Sequence, residues 1–267
     1  MSPLAKVGGL GDVAGSLPRA LVQRGLDVRV AMPLYASIAR EGLEPVARDV
    51  AVPWPGGPQR ASVWRTDVRG VTVYLVEHDA SFGRANVYGF DDDVDRFLLF
   101  CDALLAAAPR LGFAPDVIHA QDWHTGPLFA RLAASPGHSW ARCGRVYTIH
   151  NLALKGPFDG AWAEHHGIGG AQLAVPDGVD AGTAYSCMGQ GILHTDRVNT
   201  VSETYAKEIL TPEYGAGLEL LLRARSNVLS GIVNGIDYAE FNPETDPALA
   251  QHYSVETLER RIENKRA

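Results

Sequence analysis

Cysteine is scarce in this chain. Three occur among 267 residues, Cys101, Cys143 and Cys187, widely spaced and in no CxxC pair. Neither a disulfide framework nor a zinc ribbon is indicated, and reduced thiols in a cytosolic protein are the expectation. An excess of positive charge is missing too. Lys and Arg total 24 against 31 Asp and Glu, a net charge of −7, so a phosphate backbone is a poor partner and no nucleic acid is expected. No run approaches the ~18 uninterrupted apolar residues of a membrane span. The segment MSPLAKVGGLGDV has no apolar core of the kind a signal peptide carries. The expectation is a cytoplasmic protein with no membrane partner. The GxGxxG spacing of dinucleotide-binding folds and the Walker A loop are also absent, which argues against a nicotinamide-dependent oxidoreductase.

What is present is an ordinary globular composition, 46% hydrophobic and 21% charged, in a chain long enough for one large domain or two small ones. Short apolar runs at 26–32 (LDVRVAM), 71–77 (VTVYLVE), 116–120 (DVIHA), 145–149 (RVYTI), 197–201 (RVNTV) and 230–233 (SGIV) read as strands. Helix-like stretches at 11–24, 94–111, 126–134 and 203–210 lie between them. That alternation predicts an α/β fold, a mostly parallel sheet flanked by helices. Such a sheet carries its chemistry at the carboxyl ends of its strands. Those ends hold residues 121–124, 150–154, 202–204 and 234–237, where polar and aromatic side chains gather.

Both ends of the chain depart from a complete doubly wound domain. No apolar run precedes the first helix, where a buried central strand is expected. The charged helix-like stretch 254–266 (SVETLERRIENKR) is followed by no strand. The sequence reads as a piece of something larger.

Four segments carry candidate chemistry. In 6–12 (KVGGLGD), Lys6 precedes Gly8 and Gly9 at the start of a helix. Glycines permit close backbone approach, a helix N-terminus offers unpaired N–H groups, and the lysine adds a charge suited to pyrophosphate; a plain loop-to-helix turn fits the same residues. In 119–124 (HAQDWH), Asp122 and Trp123 suit hydroxyls and the face of a sugar, or else Trp123 packs under the next helix and His119 is a hydrogen-bonded core histidine. Ligands for a metal are too few nearby, and none is expected. In 150–156 (HNLALKG), His150 and Asn151 suit a polyhydroxylated substrate, with no Ser or Cys to complete an acyl-transfer triad. In 234–237 (NGID), Asn234 marks first of all a turn.

Taken in order, these segments resemble glycosyltransferase family 5, the bacterial glycogen synthases and plant starch synthases. The resemblance runs through KVGGL at 6–10 and the helix after it, VYGFDDDVDRF at 87–97, PDVIHAQDWHTG at 115–126 and YTIHNLALKG at 147–156. It continues in TVSETYAKEILTPEYGAGLE at 200–219 and SGIVNGIDYAEFNPETD at 230–246. It implies the Rossmann-like N-terminal domain of a GT-B glycosyltransferase, with this acceptor-side domain over 1–246, a helical linker over 247–267, and the first strand and C-terminal domain absent. The implied activity is retaining transfer of glucose from ADP-glucose to the non-reducing end of an α-1,4-glucan or maltooligosaccharide, without a cofactor; the alternative is a non-catalytic glucan-binding fragment.

Residue by residue, the resemblance places Lys6, Gly8 and Gly9 against the donor's phosphates, and Asp12 and Asn151 on sugar hydroxyls. It puts His150 beside the transferred glucose, Asp122 and Tyr88 on the acceptor side, and Asn234 near the donor glucose. The chain departs from the pattern at Asp93, where asparagine is common, at Leu154 and Lys155, where tyrosine-glutamine is frequent, and at 188–191, which lacks a usual lysine.

Overall fold

A computed structural model describes residues 1–267. They divide into two units, Met1–Val233 and Asn234–Ala267.

The first unit begins with helix α1 (Gly8–Val22), followed by strands β1 (Arg29–Pro33), β2 (Glu44–Val52), β3 (Gln59–Val68) and β4 (Val71–Glu77). Then come a single turn α2 (Asp79–Phe82), helix α3 (Asp93–Ala107), β5 (Val117–Gln121), α4 (Pro127–Ala134) and β6 (Gly144–Ile149). The short helices α5 (Gly160–His165) and α6 (Cys187–Leu193), strand β7 (Arg197–Thr200), helices α7 (Glu203–Glu208) and α8 (Glu219–Ala224), and strand β8 (Leu229–Gly231) complete it. All six expected strands are present, and four of the six strand pairings are parallel.

The strands form two four-stranded sheets, ordered β1-β4-β3-β2 and β5-β6-β7-β8. The second sheet is parallel throughout. In the first, β1 and β4 are parallel, and β2 and β3 add an antiparallel excursion that the apolar runs did not announce. Both are rich in charged residues, and β2 buries only Ala47, Val50 and Val52. Register shifts interrupt the β2–β3 pairing around Ala47, and a bulge of this kind breaks the two-residue alternation by which a strand is read.

Strands β1 and β5 each form the edge of a sheet. Between them lies a cavity of about 280 Å³, walled by Leu10, Leu17 and Leu21 of α1, Val30 and Ala31 of β1, and His119 and Gln121 of β5. No apolar run precedes α1, and the two sheets do not join there. The spacing 10, 14, 17, 18, 21 puts the lining residues of α1 on one helical stripe. The main core runs continuously from Leu75 and Val76 through Phe82 and Phe97 to Tyr147 and Ile149, all nearly or fully inaccessible.

The second unit contains a 3-10 turn at Leu258–Ile262 and a final turn of helix α9 (Glu263–Arg266). The continuous helix expected over 254–266 is not formed. Side chains compete for the backbone at its start: the Thr257 hydroxyl accepts from the Ser254 amide at 2.9 Å, and the Ser254 hydroxyl accepts from the Glu256 amide at 3.2 Å. Asn264 closes this unit on Gln251 through two 2.8 Å hydrogen bonds. No helix of the chain is long and apolar enough to cross a membrane.

Candidate functional site

The carboxyl ends of β5 and β6 meet through Asp122. Its side chain is buried at 6% exposure, and its Oδ1 accepts the amide protons of His150 at 2.7 Å and Asn151 at 3.3 Å. Its own amide donates to the Thr148 carbonyl at 2.9 Å. The residue holds φ 58 and ψ −179, a backbone region that is otherwise essentially glycine's and that strains any side chain placed there. One carboxylate therefore fixes the start of the loop that carries His150 and Asn151. Burial raises the Asp122 carboxyl to about 6, and the two backbone amides oppose that rise.

His150 is half-buried, and its Nε2 lies 2.7 Å from Oε1 of Gln121, the last residue of β5. Burial, with His119 nearby, lowers its ionisation to about 4, so the ring is neutral at pH 7. Asn151 is exposed, and its Oδ1 accepts from the Ala153 amide at 3.0 Å. Two residues further on, Lys155 donates to the carbonyl of Ala216 at 2.7 Å. Ala216 and Gly217 both have positive φ, 52 and 82, so the departure at Lys155 ties the loop before α8 to the loop after β6.

Trp123 is 9% exposed. It packs edge-on against Phe97 with ring centroids 5.2 Å apart, and its ring lies flush against Gly156. Of the two readings of this indole, packing describes its place. His119 is hydrogen-bonded, with Nε2 at 2.6 Å from the Thr148 hydroxyl.

At the start of α1, Lys6 and Asp12 form an ion pair at 2.8 Å. Both are partly exposed, and such a pair contributes little to stability. Gly8 and Gly9 are exposed, with Gly8 at φ 67. Val7, Leu10 and Gly11 line the same cavity as Tyr88, Gln121 and His124, so the first turns of α1, the loop before α3 and the end of β5 share one wall.

Tyr88 is 43% exposed on a loop held firmly from below. Asp93 Oδ2 accepts from the amides of Gly89 at 2.6 Å and Phe90 at 3.1 Å. Arg96, 1% exposed, pairs with Asp93 and donates to the carbonyls of Ser81 at 2.6 Å and Val87 at 3.2 Å. Here Asp93, another of the departures, is used as a charged clamp.

The structure thus joins Asp122, His150 and Asn151 into one constellation and sets Tyr88 on the wall of the adjoining cavity. Lys6, Gly8, Gly9 and Asp12 form a second cluster at the head of α1. Asn234 is exposed and begins the second unit. Two contributors were not singled out from sequence. Gln121 follows His119 by two residues and so shares its face of β5, a signal that was legible. Arg96 sits in a helix where an arginine ordinarily reads as solvated, and nothing local marks it.

Comparison with known proteins follows the same outline. A family model described as starch synthase catalytic domain matches residues 1–224. Glycogen synthase of Moorella thermoacetica is 42% identical over 272 residues, covering 100% of this chain and 55% of that protein. Glycogen synthase of Desulforudis audaxviator is 42% identical over 279 residues, covering 98% and 55%. Among solved structures, the catalytic domain of starch synthase IV from Arabidopsis thaliana, bound to ADP and acarbose, superposes with a TM-score of 0.88 at 31% identity, covering 100% of this chain and 56% of that one. The chain spans about half the length of the curated relatives it matches.

Proposed function

This chain belongs to the starch synthase (glycogen synthase) family, and from that premise we propose that it forms the acceptor-side half of a cytoplasmic glucosyltransferase. In this reading the whole enzyme transfers glucose from ADP-glucose, with retention, to the non-reducing end of an α-1,4-glucan. The fold is the Rossmann-like domain of a GT-B enzyme, in which a second such domain completes the cleft. The observation that carries the proposal is the buried carboxylate of Asp122 holding the backbone of His150 and Asn151 at the strand ends.

In the proposed mechanism the protein positions substrates and stabilises charge rather than forming a covalent intermediate. Lys6 and the N–H groups at Gly8 and Gly9 hold the donor's phosphates. Asp12 and Asn151 take sugar hydroxyls, Tyr88 borders the acceptor, and Asn234 serves the donor glucose. Asp122 serves the acceptor side through the loop it fixes. His150 lies beside the transferred glucose as a neutral ring, whose lone pair favours oxocarbenium-like charge where an imidazolium would repel it. The leaving phosphate takes the proton of the incoming 4-hydroxyl, so the scheme asks for no metal or other cofactor.

Glucosyl transfer from ADP-[14C]glucose to glycogen, with maltooligosaccharide binding followed by calorimetry, tests the proposal. Glucan binding without transfer is expected of this chain. Transfer by these residues alone would overturn the division of labour between two domains, and absence of glucan binding would sink the acceptor-side assignment.

A further inference from the structure

One face of the second sheet carries a polar row that crosses three strands. His119 and Gln121 project from β5 on the same face, as do Thr148 and His150 at the end of β6, because side chains two apart in a strand share a side. Thr148 lies beside Gln121 in the β5–β6 register and beside Asn199 in the β6–β7 register. With the Asn199 and Gln121 amides oriented as they are, the hydrogen bonds in this row assign the protons. The Thr148 hydroxyl donates its one proton to Oδ1 of Asn199 at 2.7 Å. It therefore accepts from His119 Nε2 at 2.6 Å, so His119 carries its proton on Nε2.

The same logic applies one step along. The partner of His150 Nε2, at 2.7 Å, is the carbonyl oxygen of Gln121, and a carbonyl oxygen only accepts. Nε2 of His150 is therefore the protonated nitrogen. Nδ1 makes no hydrogen bond within the chain and retains its lone pair. The titratable groups facing this ring are His119 and His124, with Asp122 beneath its backbone. Burial keeps the ring neutral at physiological pH, which makes the choice between two neutral tautomers the property that matters.

We infer that Gln121 is a positioning residue whose side-chain carbonyl holds His150 in the Nε2–H tautomer, presenting Nδ1 as a lone-pair acceptor for a sugar hydroxyl. Two adjacent residues thereby control one loop, Asp122 its backbone and Gln121 its ring. The consequence for catalysis rests on His150 bordering the transferred glucose, as in the proposed function. The tautomer stands on the hydrogen bonds alone.

The test is a long-range 1H–15N correlation spectrum of the imidazole rings in the 267-residue chain, labelled at its nine histidines, with His150 assigned from the signals lost in His150→Asn. Wild type is expected to show His150 protonated at Nε2 and bare at Nδ1 between about pH 5 and 8. Gln121→Met, similar in volume but without the acceptor, is expected to give a mixture of tautomers. Gln121→Glu sets a carboxylate against Nε2 and is expected to raise the titration midpoint of His150 by about 1–3 units while keeping Nε2–H. If the methionine variant fails to fold, the glutamate variant carries the test.

A His150 ring protonated at Nδ1 in wild type overturns the inference, because the Gln121 amide would then be donating. So does an unchanged tautomer in Gln121→Met, or an unmoved midpoint in Gln121→Glu. ADP-glucose calorimetry on the same variants keeps the two ideas apart. A shifted tautomer with unchanged ADP-glucose affinity would support tautomer control by Gln121 and sink the placement of His150 at the transferred glucose.

Discussion

Replacing Asp122 by asparagine is expected to stabilise this protein at neutral pH, although the residue sits at the centre of the candidate site. Its carboxyl is raised from the ordinary 3.8 to about 6. At 6% exposure, solvent screens little of that effect. A rise of about two units corresponds to ~3 kcal/mol, because each unit is worth about 1.4 kcal/mol.

The direction follows from proton binding. Between about pH 4 and 6 the native state holds a proton at Asp122 that the unfolded chain has released, so this group's contribution to stability falls as pH rises through that window. Above it, the folded protein carries an ionised carboxylate in a buried place. Asparagine resembles the protonated acid in shape, keeps an acceptor for the His150 and Asn151 amides, and tolerates positive φ as aspartate does.

Urea unfolding of wild type and Asp122→Asn is therefore expected to give equal stabilities near pH 4. A gap in favour of the variant should open to at most ~3 kcal/mol by pH 7–8. Taking the difference cancels the opposite trend from His124 and His150. Their ionisation is lowered to about 4, so acid below the ordinary histidine range destabilises the fold through them. Asp122→Ala serves as the control. It orphans two loop amides and worsens the strain at φ 58, and should lie about 2–4 kcal/mol below Asp122→Asn at every pH, since both variants lack the titrating carboxyl. A variant gap that is flat with pH, or an asparagine as damaging as alanine, would refute the reasoning.

Three other outcomes follow from the packing. Gly156→Ala places a methyl against the Trp123 ring at a residue with φ 59, and should lower the urea midpoint by the equivalent of about 2–4 kcal/mol; a midpoint within error of wild type would show that Trp123 is free to move. Arg96→Met leaves Asp93 without its partner beneath the Tyr88 loop, costing about 3–5 kcal/mol, and hydrogen exchange at the Gly89 and Phe90 amides should quicken before that of α3. An extended, alternately apolar strand fused ahead of Met1 is expected to raise the melting temperature by pairing with the edges of β1 and β5. Equal melting with and without that strand would count against an accessible edge at the cavity.

The sequence by itself determined the class of fold and the ends of the strands that bear the chemistry. Those features are local: the runs at 71–77 and 145–149 are apolar and β-branched, and the polar residues after them sit in the loops such strands feed. The motifs at 6–12, 115–126 and 147–156 likewise placed the family before any coordinate did.

Only the tertiary structure decided the rest. β2 and β3 pair despite their charged residues because hairpin partners and α3 bury one face of each, information absent from a bulged and polar run. Arg96 is buried because Asp93 and two carbonyls meet it there, and no helix pattern encodes such a meeting. Asp122 reads as a sugar contact from its neighbours in sequence, yet it lies beneath residues 28 and 29 positions away. Gln121 acquires its role only when β5 and β6 lie side by side, because a hydrogen bond that chooses a tautomer is made across strands, not along one.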